Sequence, residues 1–368
     1  MSTRTSVLSC SLVICHLGLC QTGNTVLGAG YAAPTPVGVA EGQIVSLFVQ
    51  GIGGTLKQRV VATTVPLPTM LAGITVTIEQ GNGNQNPIQS VPILAIRPLS
   101  TCYDRPSPSQ SVCGGYLAIT VQIPFGLNVR AETAWIVVSE NGTPGGSFEV
   151  YLQTDHIHIL TTCDVNTAVG DLFSCPPQPI VSHADGSGVN VFKPVRVGEE
   201  IVIWAFGLGW DSRAQTGQPS PSRAIPVFSR AVFDYRSNAP AMRYDCINEA
   251  PCITPEFSGF TPGYIGLYQV NVVVPPPPPG VAIPNCTISL SPPHEVASNV
   301  TISLSGLASF DGAGICVDTT QPAVGQVAGQ PRPAAPTFVK VPFGDGPFLK
   351  PVMIPEPTKR LSPPNWMK

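Results

Sequence analysis

Proline and glycine interrupt this chain too often for long helices and leave only short apolar runs between them. The 368 residues include 41 Pro and 36 Gly, together above the usual share of a globular chain. Proline cannot continue a helix interior or donate to a central strand ladder. The runs between the breaks are rich in β-branched residues and alternate apolar with small or polar positions. That is the period of a strand with one buried face. Scattered punctuation of this kind predicts a turn-rich all-β chain rather than a disordered polymer. Residues 257–317 show it best: FSGFTPGYIGLYQVNVVVPPPPPG, then SNVTISLSGLASFDGAGICV. They read as a strand, a Pro-rich loop and more strands, with no catalytic group.

The pattern occurs twice. The run from Gly42 to Gly53, GQIVSLFVQGIG, aligns with Gly198 to Gly209, GEEIVIWAFGLG. Gly42 matches Gly198, Val45 matches Ile201, Leu47 matches Ile203, and the terminal Gly-x-Gly pairs coincide. A Gly-x-Gly exit allows a bulge or tight turn. Later, YLAITVQIP from Tyr116 resembles YQVNVVVP from Tyr268. Both are period-two runs stopped by Pro. A repeat of about 150 residues is too long for a solenoid and fits tandem domains.

The expected layout is an export signal at 1–23, domain one at 24–163, a linker at 164–177, domain two at 178–318 and a Pro-rich tail at 319–368. Further strand candidates are residues 73–79, 91–96, 133–139, 147–152 and 156–161 in domain one. Domain two adds 225–235, 286–290 and 299–304. Many short strands with frequent turn signals favour two-sheet sandwiches. One Arg precedes an apolar run from Val7 to Cys20, the length of a signal core and too short to span a membrane. No later run reaches transmembrane length. In the tail, Thr337–Phe343 (TFVKVPF) is suited to add as an edge strand to a sheet. Phe338, Val339, Val341 and Phe343 are its candidate contact residues.

Charged residues are only 11% of the chain and the net charge is −3. Weakly charged surfaces repel each other little, which favours self-association. The absence of a basic balance argues against nucleic acid as a partner.

Eight cysteines lie beyond the N-terminal stretch: Cys102, Cys113, Cys163, Cys175, Cys246, Cys252, Cys286 and Cys316. An even set in a β-rich chain suggests disulfides and an oxidising compartment. Sequential pairing is the expectation: Cys102–Cys113, Cys163–Cys175, Cys246–Cys252 and Cys286–Cys316. Buried reduced thiols are the alternative. No CxxC pair supports a zinc site.

Few residues carry chemistry. Asp155-His156-Ile157-His158 places two His on one face of a strand, yet HxH without a third ligand is a weak metal signal. A strand end is the plainer account. Asp185-Gly186-Ser187-Gly188 and Asp311-Gly312-Ala313-Gly314 lack the alternating oxygen ligands of a calcium loop and read as turns. No nucleophile elbow or phosphate loop is present. Trp135 and Trp204 sit in apolar strands and read as core. Trp210, in a loop with Asp211 and Arg213, is the better contact residue, since exposed aromatics serve as stacking platforms. No cofactor is implied.

The stretches GYIGLYQVNVVVP, SNVTISLSG and SFDGAGICV resemble a repeat family of secreted acidobacterial proteins whose Ig-like domains are uncharacterised. GEEIVIWAFGLG and GQIVSLFVQGIG are similar to that family's strand into a Gly-x-Gly turn. The resemblance covers most of residues 37–317. Domain one departs from it, with TAWIVVSENGTPGGSFEVYLQ in place of SNVTISLSG. The resemblance implies tandem Ig-like β-sandwiches, export and a surface or adhesive role. It supplies no catalytic residues. The expectation is a non-enzymatic, secreted or cell-surface protein acting by protein–protein contact, with self-association through the tail. The alternative is a carbohydrate-binding module or accessory domains of an extracellular enzyme system.

Overall fold

The computed structural model describes residues 24–319 except 32–33, 36–37, 82–87, 100–101, 105–110, 114–115, 132, 166–178, 224, 234, 236–251, 281–299, 305–306 and 309–313. The described residues are all-β, in several largely antiparallel sheets. Their helical content is a single α-turn, Thr162–Val165, and one 3-10 turn, Val129–Ala131.

Two sheets enclose the first core. One runs Pro34–Thr35, Thr25–Gly30, Ile44–Gln50, Tyr116–Gln122, Ile93–Leu99, Val60–Val61. The facing one runs Gly38–Ala40, Thr143–Gln153, Thr133–Glu140, Ile74–Gln80, Met70–Leu71. Val45, Leu47, Ile119 and Val121 from the first pack with Val76, Ile78, Ile136 and Val138 from the second. Strict alternation along Ile74–Gln80 and Thr133–Glu140 points one face inward. Asn141 and Gly142, at φ 50 and φ 82, make the two-residue turn into Thr143–Gln153. Asn-Gly is the pair that tolerates positive φ at both central positions.

The second core lies between a sheet ordered His158–Ile159, Glu200–Phe206, Tyr268–Val273, Phe257–Phe260, Ile225–Pro226 and another ordered Cys252–Ile253, Arg230–Phe233, Val300–Leu304, Leu307–Ala308. Ile201, Ile203, Val270 and Val272 meet Ala231 and Phe233 there.

The two repeated segments form equivalent strands. Ile44–Gln50 pairs antiparallel with Tyr116–Gln122, and Glu200–Phe206 pairs antiparallel with Tyr268–Val273. Gly42, Gly51, Gly53 and their counterparts Gly198, Gly207, Gly209 all have positive φ, so the sequence repeat is a repeat of turn conformation. A short parallel pair also closes each unit: Gly38–Ala40 beside Tyr151–Gln153, and Val195–Arg196 beside Val317–Asp318.

Two strand expectations and one burial expectation change. His158–Ile159 pairs with Ala205 and Phe206, so this strand joins the second unit's sheet rather than the first's. Residues 225–235 are not one strand. Ile225–Pro226 pairs with Phe260 and Gly259, whereas Arg230–Phe233 crosses to the other sheet and pairs with residues 300–303. Trp135 is only half-buried, because Ala134, Ile136 and Val138 take the inward positions of its strand. Trp204 is core as expected, fully buried, with its indole N–H donating to Ser182 Oγ at 2.8 Å.

Candidate functional site

Two features stand out where the units meet: a buried polar seam and a pinned loop that presents Trp210. The seam forms because the strand Glu200–Phe206 is buried on both faces. Ile201, Ile203 and Ala205 face the second core. Val202, Trp204 and Phe206 face a separate cluster with Leu160, Ile180, Leu267 and, from the first unit, Ile44. Residues 154–157 cross between the units beside it.

Gln43 is the centre of the seam and is fully buried. Its Oε1 accepts from Ala40 N–H at 2.8 Å. Its Nε2 donates to Tyr31 Oη at 2.6 Å and lies 3.2 Å from His156 Nδ1. The Tyr31 ring stacks on His158 at 3.6 Å between centroids. His158 Nε2 lies 2.8 Å from Asp164 Oδ2, which also accepts from Thr161 N–H and Oγ1–H at 2.6 and 2.8 Å. The HxH pair is therefore built into the junction. Among the described residues no group of three or more His, Cys, Asp or Glu is placed to hold a metal ion.

The seam also holds two ionisable groups in unfavourable surroundings. Asp155 is buried, and Thr154 Oγ1 donates to its Oδ1 at 2.9 Å, while Oδ2 has no hydrogen-bond partner. Burial pushes its carboxyl up to about 6. Burial, then the neighbouring His158, pushes the His156 imidazole down to about 4.

Trp210 sits on residues 207–217, held at both ends. Gly207 (φ 73) receives the His156 N–H at 2.8 Å on its carbonyl. Leu208 is fully buried, and Gly209 (φ 100) accepts the Tyr268 hydroxyl on its carbonyl. At the far end Phe125 N–H donates to Thr216 Oγ1 at 2.9 Å, and Gly217 N–H donates to Gln122 Oε1 at 2.6 Å. Leu67 N–H donates to Gly217 O at 2.8 Å. Between these anchors Asp211 and Arg213 form a two-bond fork, Nε to Oδ1 at 2.7 Å and Nη2 to Oδ2 at 2.8 Å. Trp210 remains 52% exposed. A large indole in water on an ordered loop loses little conformational entropy when it binds, and Trp is a preferred anchor at interfaces.

The remaining expectations separate by location. Asp185 accepts from Ser187 N–H at 2.8 Å, and Gly186 has φ 84, which is turn chemistry. Cys252 and Cys316 are each in a disulfide. Cys102 stands opposite Cys113 in a two-stranded antiparallel ladder. The side chains of Cys102, Cys113 and Cys163, the whole of Cys175, Cys246 and Cys286, the export signal and the tail strand with Phe338, Val339, Val341 and Phe343 lie outside the described residues. No described helix is long and apolar enough to cross a membrane. The seam was missed in the sequence. Its signals were the Asp155–His158 run, read as a strand end, and Gln43, a polar residue just before a strand.

No family model matches the chain, and neither a curated protein nor a solved structure matches it.

Proposed function

We propose that this chain is a secreted, non-enzymatic contact protein made of two Ig-like sandwiches, with the Trp210 loop as its anchor for a protein partner. The observation that carries this reading is the exposed indole on a loop tied to both units. Binding there costs little ordering, and the tie holds the loop in one position relative to both sheets. The oxidised state of Cys252 and Cys316 supports an extracellular setting. The low charge supports self-association as the form of that contact.

The test is sedimentation of the native protein over a wide concentration range, beside Trp210→Ala. Concentration-dependent association that the variant loses is the expected result. Association that survives in Trp210→Ala but not after deletion of 319–368 transfers the contact to Phe338, Val339, Val341 and Phe343.

Carbohydrate binding is the second reading, favoured by the polar Asp211–Arg213 fork one residue from the indole. Saturable Trp210 fluorescence change on a glycan, with a sharp monomer in sedimentation, selects it over the first. A monomer with neither response removes both.

A further inference from the structure

Arg59 and Arg97 are a like-charged pair with no acid paired to either among the described residues. Val60 pairs with Ile96 and Val61 with Ala95. Arg59 precedes Val60 by one residue, so the same antiparallel register sets it opposite Arg97. Directly opposed residues share a face, and like charges in that position repel. The face is the outer one, because the neighbouring Ile96 belongs to the first core. On the adjacent strand Arg97 is paired with Ala118, which offers it no partner atom, and Tyr116 two residues along favours its charge only in part against burial.

Both guanidiniums are partly buried, and Arg59 Nη2 is a buried donor with no hydrogen-bond partner. Burial lowers both groups, and for Arg59 the charge of Arg97 adds to it, bringing it down to about 10. Both remain cations at neutral pH. Among the described residues no carboxylate makes an ion pair or hydrogen bond with either. A charged side chain on an edge strand is a common guard against sheet-to-sheet pairing. Arg97 does not fit that account: it is on the next strand in, partly buried, and its charge faces another cation. Lys57, exposed two residues before Arg59, adds to the positive potential.

We propose that Arg59 and Arg97 form an oxyanion-binding site, a paired guanidinium clamp for a carboxylate, sulfate or phosphate group on a partner molecule. The planar fork of each guanidinium offers two parallel N–H donors matched to such oxygens. The bound negative charge removes the repulsion across the ladder. The site is independent of Trp210 and stands or falls separately.

The test uses native protein labelled with nitrogen-15 in arginine. Sodium sulfate, phosphate and acetate are titrated against sodium chloride at matched ionic strength, and the arginine Nε–Hε signals are followed. Saturable shifts of two signals with an oxyanion are expected. These signals disappear in Arg59→Gln and Arg97→Gln respectively, and each variant abolishes the saturable response of the other arginine. Lys57→Gln keeps the response. A lower saturating concentration for acetate identifies a carboxylate site; the reverse order identifies a sulfate or phosphate site. Arg97→Lys, which keeps the charge without the fork, weakens the response about tenfold. An equal response to chloride, no saturation, or a response unchanged in both Gln variants overturns the proposal.

Discussion

Replacing Gly207 by Ala tests whether the junction is as tightly built as its geometry says. A Cβ at Gly207 stands 2.1 Å from the carbonyl oxygen of His156 and 2.8 Å from its carbonyl carbon. Both are backbone atoms, so no rotamer change relieves the contact. The residue also has φ 73, which costs an L-residue roughly 1–2 kcal/mol. Overpacking against a fixed neighbour adds about 1–3 kcal/mol. The control is Gly263→Ala, at φ 80 with nothing within 4 Å of the new Cβ, which isolates the backbone term. Stiffening the unfolded chain returns about 0.4–1 kcal/mol to both variants. The net expectation is a loss of about 1 kcal/mol for Gly263→Ala and about 2–4 kcal/mol for Gly207→Ala. Urea unfolding with linear extrapolation measures both. Hydrogen exchange at the His156 amide, which donates to Gly207 O at 2.8 Å, reports whether the added loss is at the junction. Equal losses in the two variants, or an unchanged His156 exchange rate, would refute the tight-junction argument.

Two other expectations concern the seam and the cysteines. Asp155 has its folded pKa raised to about 6, so its contribution to stability falls as pH rises from about 4 to 6. His156 has its folded pKa lowered to about 4, so its contribution rises between about 4 and 6.5. Each shift of about two units is worth about 3 kcal/mol, and the two oppose each other over one pH range. Wild-type stability should therefore be nearly flat there. Asp155→Asn should make it climb with pH and His156→Gln should make it fall, and parallel urea midpoints across pH 4–7 in all three proteins would count against the assignment. Cys102 and Cys113 are opposite in an antiparallel ladder, a separation of about 4.5–5.5 Å between Cα atoms that a disulfide spans. Non-reducing peptide mapping should recover them on one linked fragment, and finding either joined to another cysteine would exclude the pairing.

The framework was legible because it is local. The Gly-flanked runs at 42–53 and 198–209, the Pro-stopped runs from Tyr116 and Tyr268, and the alternation over 74–80 state their own strand period and boundaries. Gly207-x-Gly209 likewise announced a turn, and Trp210 after it an exposed position. What failed was choosing a neighbour. A two-residue strand such as His158–Ile159 carries no period long enough to show which sheet it joins. The apolar run in EEIVIWAF reads as a strand with one buried face. It is instead buried on both, because a second unit covers the outer one, and nothing in residues 200–206 names that cover. Trp135 sits in an apolar strand, which suggests core, yet strand parity gives the inward places to Ala134, Ile136 and Val138. The seam was least legible, since Tyr31, Gln43, His156 and Asp164 are scattered in sequence and acquire meaning only when the segments that carry them converge.

The two parallel closing pairs, Gly38–Ala40 beside Tyr151–Gln153 and Val195–Arg196 beside Val317–Asp318, bear on how the chain carries load. Each joins an early strand of its unit to the last one, running in the same direction. Tension on the two ends of a unit pulls these neighbours past one another along their length. The hydrogen bonds of a parallel pair are evenly spaced along the strands, so they take that load together rather than opening one after another. A unit fastened in this way yields by sliding, which resists a pull better than peeling. The same clamp is present in both units of this chain.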